Sequence, residues 1–278
     1  MINSTVNFTT PETSTNSTTQ SIGLVEVLNI CVYSIGFLVG LPTHFYIIWL
    51  IITGAGSGVV SEFFILNFSI SEAGFCVNCL TFVLSVWFSF IVQFKLFLVG
   101  LITTGRPLFQ CLICVERYLA VVHPVTFLKF KPLRYRVICC TVAWIIILGS
   151  CLCCMYTIDP HNIVHMWFLS VQFLLFVFIQ LFCCVAVLRA LKQSGPGERG
   201  REEENHMKKR AFYLILLTTV TMVITYAPYS IAGFFTIVTE KLIPANWFPG
   251  LVCYVLSGFV QPVLYLHRTG KLSYPCLL

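Results

Sequence analysis

The sequence predicts an all-α membrane protein: a seven-transmembrane helix bundle with the N-terminus outside the cell. Composition and hydropathy are the observations that predict this fold class. Of the 278 residues, 58% are hydrophobic and only 10% are charged, whereas a soluble domain carries about 25% charged residues. The apolar residues form long runs without amphipathic spacing, which is typical of helices that lie in lipid. Membrane lipid is therefore the first expected partner.

Seven stretches of the chain are long enough to span a bilayer, because a crossing helix needs about 20 apolar residues. They lie near residues 22–52, 63–88, 91–121, 137–155, 166–188, 211–237 and 247–266. The nearly continuous apolar run over 63–121 is too long for one crossing. We therefore expect a tight reversal near residues 89–95.

The distribution of basic residues predicts the orientation of these spans. With seven crossings and the N-terminus outside, 14 of the 17 lysines and arginines lie on the cytoplasmic side. Lys95 and Lys241 would face outward, and Arg106 falls inside the third span. This asymmetry follows the positive-inside rule. We expect a multi-pass protein of the plasma membrane.

The segments outside the spans differ sharply from them in composition. The N-terminal segment carries glycosylation sequons at Asn3, Asn7 and Asn16. It lacks the pattern of a signal peptide, so the first span would act as the anchor. The predicted organisation is an extracellular glycosylated tail at residues 1–21, a seven-helix domain at 22–267 with a mobile cytoplasmic loop at 189–210, and a short cytoplasmic tail at 268–278.

Motifs in three of the spans carry a family resemblance. The third span ends in Glu116-Arg117-Tyr118, which a basic loop follows. The sixth contains Pro228 in TYAPYS, and the seventh ends in QPVLYLHRTGK, with Pro262 and Tyr265. This combination resembles the rhodopsin-like (class A) G-protein-coupled receptors. The phrase GLPTHFYIIWL in the first span looks most like their purinoceptor-like branch.

The resemblance implies a receptor that passes an extracellular signal to a heterotrimeric G protein. Arg117 would be the hub that the G protein engages, because a guanidinium at the membrane edge offers several donors to backbone carbonyls. Glu116 would be its partner in the resting state, and Tyr265 would swing toward it on activation. The sixth span would move about Pro228, where a backbone hydrogen bond is lost. Residues 208–210 at its base are all basic and cannot tether Arg117, so we expect appreciable activity without ligand.

Several positions depart from the family pattern. Glu72 stands for the aspartate of the second span, His44 for the asparagine of the first, and Gln261 for the asparagine before the seventh-span proline. Tyr226 stands for the tryptophan that precedes Pro228 by two residues. Neither loop 89–95 nor loop 156–165 contains cysteine, so we expect the usual extracellular disulfide of the family to be absent.

Two opposite charges are predicted to meet inside the membrane. Arg106 lies eleven residues before Arg117, which is about 16 Å deeper along a helix, and Glu72 is about 15 Å beyond the cytoplasmic start of its span. Each charge alone costs about 2.5–3.5 kcal/mol or more at the bilayer centre, so both should face inward and pair.

The family resemblance implies a role for the residues at this depth. In that family a sodium ion binds there, between an acid on the second span and polar residues on the third and seventh. Ser257 and Gln261 match the residues of the seventh span that surround this ion. We expect the guanidinium of Arg106 to replace the sodium ion, which would make the protein insensitive to sodium. The alternative is a structural lock between the second and third spans without a signalling role.

The resemblance also outlines a ligand pocket. Because Val99 stands where amine receptors place an aspartate, a monoamine would be buried there without a counterion. An apolar or lipid-like small molecule fits the uncharged lining better, although any space between helices is mostly apolar. Lys95 and the loop histidines His161 and His165 are the only cationic candidates, and a solvated loop is their ordinary explanation. The expected lining is Lys95, Val99, Gly100, Thr103, Tyr229, Ser230, Gly233, Trp247 and Leu251.

Other function classes are less well supported. A transporter or channel could use Glu72 and Arg106 as an ion relay, but no internal repeat is present. A non-signalling receptor-like protein would agree with the altered residues Glu72, Gln261 and Tyr226. The pattern contains no metal-ligand cluster, phosphate loop or paired nucleophile and base. We therefore expect no enzyme activity, cofactor or metal, and the scattered basic residues predict no nucleic-acid partner.

Overall fold

A computed structural model describes residues 23–54, 62–130, 132–157, 163–193, 199–239 and 244–270. These residues are almost entirely helical. Short 3₁₀ turns at Ser89–Ile91 and Pro244–Trp247 precede two of the helices. The α-helices are α1 (Leu24–Ile52), α2 (Phe63–Ser85), α3 (Val92–Gly100), α4 (Arg106–Val122), α5 (Pro124–Phe130), α6 (Leu133–Thr157), α7 (Ile163–Gln193), α8 (Arg199–Thr239), α9 (Phe248–Ser257) and α10 (Val260–Arg268).

Seven helical stretches within the described residues are long and apolar enough to cross a membrane. They confirm the predicted all-α bundle of seven spans, and the chain is a multi-pass membrane protein. The third span, Ser89–Val122, contains α3 and α4, and the seventh, Ala245–Arg268, contains α9 and α10. Large apolar side chains such as Leu38 and Phe178 point away from the bundle, with 67% and 69% of their surface exposed, as expected for contact with lipid.

Two of the predicted boundaries are wrong. The reversal between the second and third spans lies at residues 86–88, before the expected 89–95, and Lys95 already belongs to α3. The described parts of the expected mobile loop, residues 189–193 and 199–210, are helical ends of α7 and α8. The sequence REEENHMKKR consists mostly of good helix formers and places Glu204 four residues before Lys208, a spacing that supports a helix.

Some expectations fall on residues that lie outside the described ranges. They include the sequons at Asn3, Asn7 and Asn16, residues 194–198 of the loop and residues 271–278 of the tail. No disulfide joins the thirteen described cysteines. Most of them pack among apolar side chains, for example Cys76 and Cys79 beside Phe75.

The third span changes its winding just before Arg106. Residues Leu101–Gly105 form a π-helical turn between α3 and α4. Pro107 explains this change, because it has no N–H to donate to the carbonyl four residues earlier. A Cβ at Gly100 would lie within 2.3 Å of the backbone of Cys151, so at this position the span packs directly on α6. The turn therefore fixes the direction from which Arg106 enters the bundle.

The seventh span is interrupted at residues 258–259, between α9 and α10. Pro262 lies four residues after Gly258 and cannot donate to its carbonyl, which accounts for the break. A Cβ on Gly258 would lie 3.0 Å from Arg106 Nη2 and 3.3 Å from Glu72 Oε2. The absence of a side chain at Gly258 thus leaves room for the two charged groups described below.

Candidate functional site

A buried ion pair lies between the second and third spans. Arg106 donates from Nε to Glu72 Oε1 over 2.6 Å and from Nη2 to Oε2 over 2.5 Å. Each side chain has only 1% of its surface exposed. The two-point geometry is the strongest form of arginine–carboxylate contact. The predicted pairing of these residues is confirmed.

The seventh span completes the surroundings of the guanidinium. Arg106 Nη1 donates to the backbone carbonyl of Tyr254 over 2.6 Å and to Ser257 Oγ over 2.8 Å. The guanidinium carbon lies 3.6 Å from the centre of the Tyr254 ring and 5.2 Å from that of Phe75. Four donated hydrogen bonds and two aromatic faces therefore compensate for the loss of water.

Sequence reasoning identified Ser257 but missed Tyr254 and Phe75. A signal for Tyr254 was present, because residues three apart lie on the same side of a helix and Tyr254 precedes Ser257 by three. Gln261 was also predicted in this cluster. It lies beyond the break in the seventh span and lines a small cavity, and its Nε2 has no hydrogen-bond partner among the described residues.

The motif at the end of the third span is arranged differently from the prediction. Glu116 accepts a bond from Arg136 Nη2 over 2.6 Å, so the expected pairing of Glu116 with Arg117 is wrong. Consecutive residues on a helix point in different directions, whereas Arg136 on α6 faces Glu116 across the gap between helices. Tyr118 contacts His123, with 3.1 Å between its hydroxyl and Nε2.

Arg117 lines a small cavity of about 40 Å³ between the third, sixth and seventh spans. Gln261, Tyr265 and Arg268 share this lining. The Tyr265 hydroxyl donates to Glu62 Oε2 over 2.7 Å. Glu62 is 1% exposed and was not singled out from the sequence; a lone acid directly before an apolar run was its only signal. Pro228 and Pro262 lie within α8 and α10, as predicted.

A large cavity of about 650 Å³ opens between the helices at the Lys95 end of the bundle. Gly100 is the exception to the predicted lining, because it packs against the backbone of α6. The cavity is lined by 23 described residues, including the predicted Lys95, Val99, Thr103, Tyr229, Ser230, Gly233, Trp247 and Leu251.

Further lining residues of the large cavity were not predicted. Asn29 and Asn78 on the first two spans contribute polar groups to its wall. Gln172 on α7 donates from Nε2 to Thr104 over 2.8 Å, and its Oε1 has no partner among the described residues. These positions could not be found from the sequence, because their assembly depends on how the spans rotate about their axes.

Curated relatives share the features of the predicted family resemblance. No known family profile matches the chain. The chemokine XC receptor 1 of Mus musculus is 28% identical over 75% of this chain and 66% of its own length. The uracil nucleotide/cysteinyl leukotriene receptor of Rattus norvegicus is 24% identical over 76% of this chain and 68% of its own length. The proteinase-activated receptor 1 of Xenopus laevis is 24% identical over 86% of this chain and 63% of its own length.

These relatives are class A (rhodopsin-like) G-protein-coupled receptors, and the similarity supports the predicted family resemblance. The matches cover about two thirds of the length of these relatives. The nucleotide receptor among them agrees with the predicted purinoceptor-like branch.

The large cavity and the buried ion pair share a residue. Tyr254 lines the cavity, and its carbonyl and ring both hold Arg106. Its hydroxyl donates to the carbonyl of Ile102 in the π-helical turn over 2.9 Å. Tyr226, which was predicted as a switch residue, lines the same cavity and packs edge-on against Tyr254 with 5.9 Å between ring centres.

Proposed function

We propose that this receptor binds an apolar or lipid-like small molecule in the large cavity and transmits its presence to a heterotrimeric G protein through Arg117. The observation that carries this proposal is the double contact of Tyr254, which lines the cavity and also holds Arg106. A ligand that displaces the Tyr254 ring would disturb the hydrogen bonds that join the second, third and seventh spans. Movement of those spans would then reach the Arg117 end of the bundle.

Arg117 is suited to meet a G protein. Neither of the two ion pairs described above includes it, and it lines the small cavity between the third, sixth and seventh spans. Its planar group offers five donors to backbone carbonyls of an inserted segment. Tyr265 lines the same cavity and is bonded to Glu62. Its proposed role is to exchange that bond for a contact with Arg117 on activation.

The proposed orientation places the Arg117 end in the cytoplasm and the N-terminus outside, at the plasma membrane. The clustering of basic residues in the loops next to Arg117 supports this orientation. We further propose glycans at Asn3, Asn7 and Asn16. Glycosidase treatment of the cell-surface receptor should lower its apparent mass, and replacing all three asparagines by glutamine should abolish that change. An unchanged mass after treatment would contradict the glycosylated extracellular tail.

A transporter that uses Glu72 and Arg106 as a relay is the weaker candidate. Neither the large nor the small cavity is lined by either residue. Both charges are instead enclosed by Tyr254, Ser257 and Phe75. An ion relay needs access to water from both sides, and these two cavities do not supply it.

Nucleotide exchange on a panel of purified G proteins tests the proposal. The receptor, reconstituted in nanodiscs without added ligand, should accelerate exchange on at least one of them. Arg117→Ala should abolish this activity, and Arg117→Lys should retain part of it, since lysine keeps the charge but not the planar group. Arg134→Ala is the matched control, because Arg134 is an exposed arginine next to the same end of the bundle.

Two results would overturn the proposed signalling. A receptor that is silent with every G protein, alone and with lipid extract, would be the non-signalling protein that the sequence left open. Exchange that survives Arg117→Ala at the level of Arg134→Ala would remove Arg117 from the coupling site.

A further inference from the structure

Lys95 sets the charge of the large cavity. Of the 23 described residues that line the cavity, Lys95 alone carries a formal charge. Its Nζ donates to Ser85 Oγ over 3.3 Å and lies 5.1 Å from the centre of the Phe82 ring. A hydroxyl and an aromatic face solvate an ammonium group but do not neutralise it.

Apart from Lys95 and six uncharged polar residues, the lining is apolar or aromatic. Nine of the 23 lining residues are phenylalanine, tyrosine or tryptophan. A half-buried ammonium group in such surroundings has lost part of its water shell and has gained no counterion among the described lining residues, which is unfavourable. A ligand that brings one negative charge to Lys95 would remove this cost and form a charge-assisted hydrogen bond.

The number of charges limits the class of anion. One lysine balances one negative charge, whereas a nucleoside diphosphate or triphosphate would bring further charges that no described lining residue neutralises. The shape of the cavity adds a second constraint. Its lining runs along the third span from Lys95 to Pro107, twelve residues further on, which is about 18 Å along a helix.

We propose that the large cavity takes an apolar monocarboxylate whose carboxylate pairs with the ammonium group of Lys95. The apolar part of the ligand extends past Val99 and Thr103 toward Tyr226 and Tyr254. This inference rests on the proposed function, because it names the ligand class of the receptor site. It also explains how the ligand reaches Tyr254, the residue that holds Arg106.

Binding is tested with matched probes on the full receptor in nanodiscs. The probes are dodecanoate, methyl dodecanoate and dodecylamine, which share the same chain and differ in charge. Titrations followed by thermal unfolding give an apparent Kd for each. Dodecanoate should bind roughly 10- to 100-fold more tightly than its methyl ester, the usual range for a hydrogen bond to a charged group. Dodecylamine should bind more weakly than the ester.

Variants of Lys95 locate the effect. Lys95→Met keeps the length of the side chain and should make dodecanoate and its ester bind equally. Lys95→Glu should reverse the order, so that dodecylamine binds best. Lys192→Met is the matched control, because Lys192 is exposed in the last turn of α7 and lies outside the large cavity. It should behave like the unmodified receptor.

Failure of this inference can be separated from failure of the proposed function. No stabilisation by dodecanoate, equal binding of dodecanoate and its ester, or a preference that survives Lys95→Met would each overturn the monocarboxylate site. Binding is measured without a G protein, so a Lys95-dependent preference supports the inference even when nucleotide exchange is absent. Conversely, exchange that depends on Arg117 but not on Lys95 would leave the signalling proposal intact and remove the ligand class.

Discussion

Removing the two charges of the buried pair one at a time should lower the stability of the fold by unequal amounts. Glu72→Gln leaves the guanidinium of Arg106 buried and charged, because arginine does not lose its proton in proteins. Breaking a buried pair in this way costs about 3–5 kcal/mol. Arg106→Met leaves a carboxylate that can take up a proton and become neutral. Arg106→Met should therefore lower the free energy of unfolding by about 1.5–3 kcal/mol, the value of the charge-assisted hydrogen bonds that it removes.

The double variant Glu72→Met with Arg106→Met should recover most of the lost stability, because apolar residues of similar volume often replace a buried pair without loss. The expected order of melting temperatures is therefore the unmodified receptor close to the double variant, then Arg106→Met, then Glu72→Gln. The last should melt roughly 6–20 °C lower than the unmodified receptor, since about 1 kcal/mol shifts the midpoint of a chain of this size by about 2–4 °C.

Thermal unfolding in nanodiscs, followed with a thiol-reactive dye, measures this order. Cys76, Cys79 and Cys114 are each at most 1% exposed and should react only after the bundle opens. Glu26→Gln is the matched control, because Glu26 is an exposed acid in the first turn of α1. A melting temperature of Glu72→Gln equal to that of the control would refute the reasoning, as would a double variant less stable than either single variant.

Three other expectations follow from the same contacts. Gly258→Ala places a Cβ 3.0 Å from Arg106 Nη2 and should cost about 1–3 kcal/mol in an unfolding experiment; unchanged stability would contradict the close packing. Arg106→Ser leaves Glu72 beside oxygen ligands, so its melting temperature should rise when sodium chloride replaces choline chloride, whereas the unmodified receptor should show no such rise. Arg136→Met removes the partner of Glu116, lets Glu116 pair with the arginine that follows it, and should reduce nucleotide exchange without ligand; an increase would argue against that pairing.

Hydropathy was sufficient to predict the seven spans, because each helix that contacts lipid must be apolar by itself. It misplaced the turn between the second and third spans, because the turn residues Val86, Trp87 and Phe88 are as apolar as the helices beside them. The helical ends at residues 189–193 and 199–210 were missed for the opposite reason. Their charged side chains suggested a loop, although most of these residue types favour helix.

The ion pair was predictable because a buried charge in the bilayer is costly unless it has a partner of opposite charge. Two opposite charges at one depth must meet or face lipid, so depth alone identified Arg106 and Glu72. At the membrane edge this constraint is absent, and Glu116 had both Arg117 and Arg136 within its reach. Which of them it contacts depends on the rotation of α4 against α6, which no spacing along the sequence encodes. The same applies to Tyr265 and Glu62, which are joined across two spans.

A cation that is part of the chain changes what activation must do. A bound ion could leave the bundle when the receptor changes state, whereas the guanidinium of Arg106 stays attached to the third span. Rearrangement must therefore occur among its hydrogen bonds, and the contact with Glu72 is the one least easily given up, since both groups would otherwise be buried charges. The hydrogen bonds from Arg106 to the Tyr254 carbonyl and to Ser257 Oγ have uncharged acceptors and are therefore weaker than those to Glu72. Motion should accordingly concentrate in the seventh span, where the break at residues 258–259 already interrupts the helix.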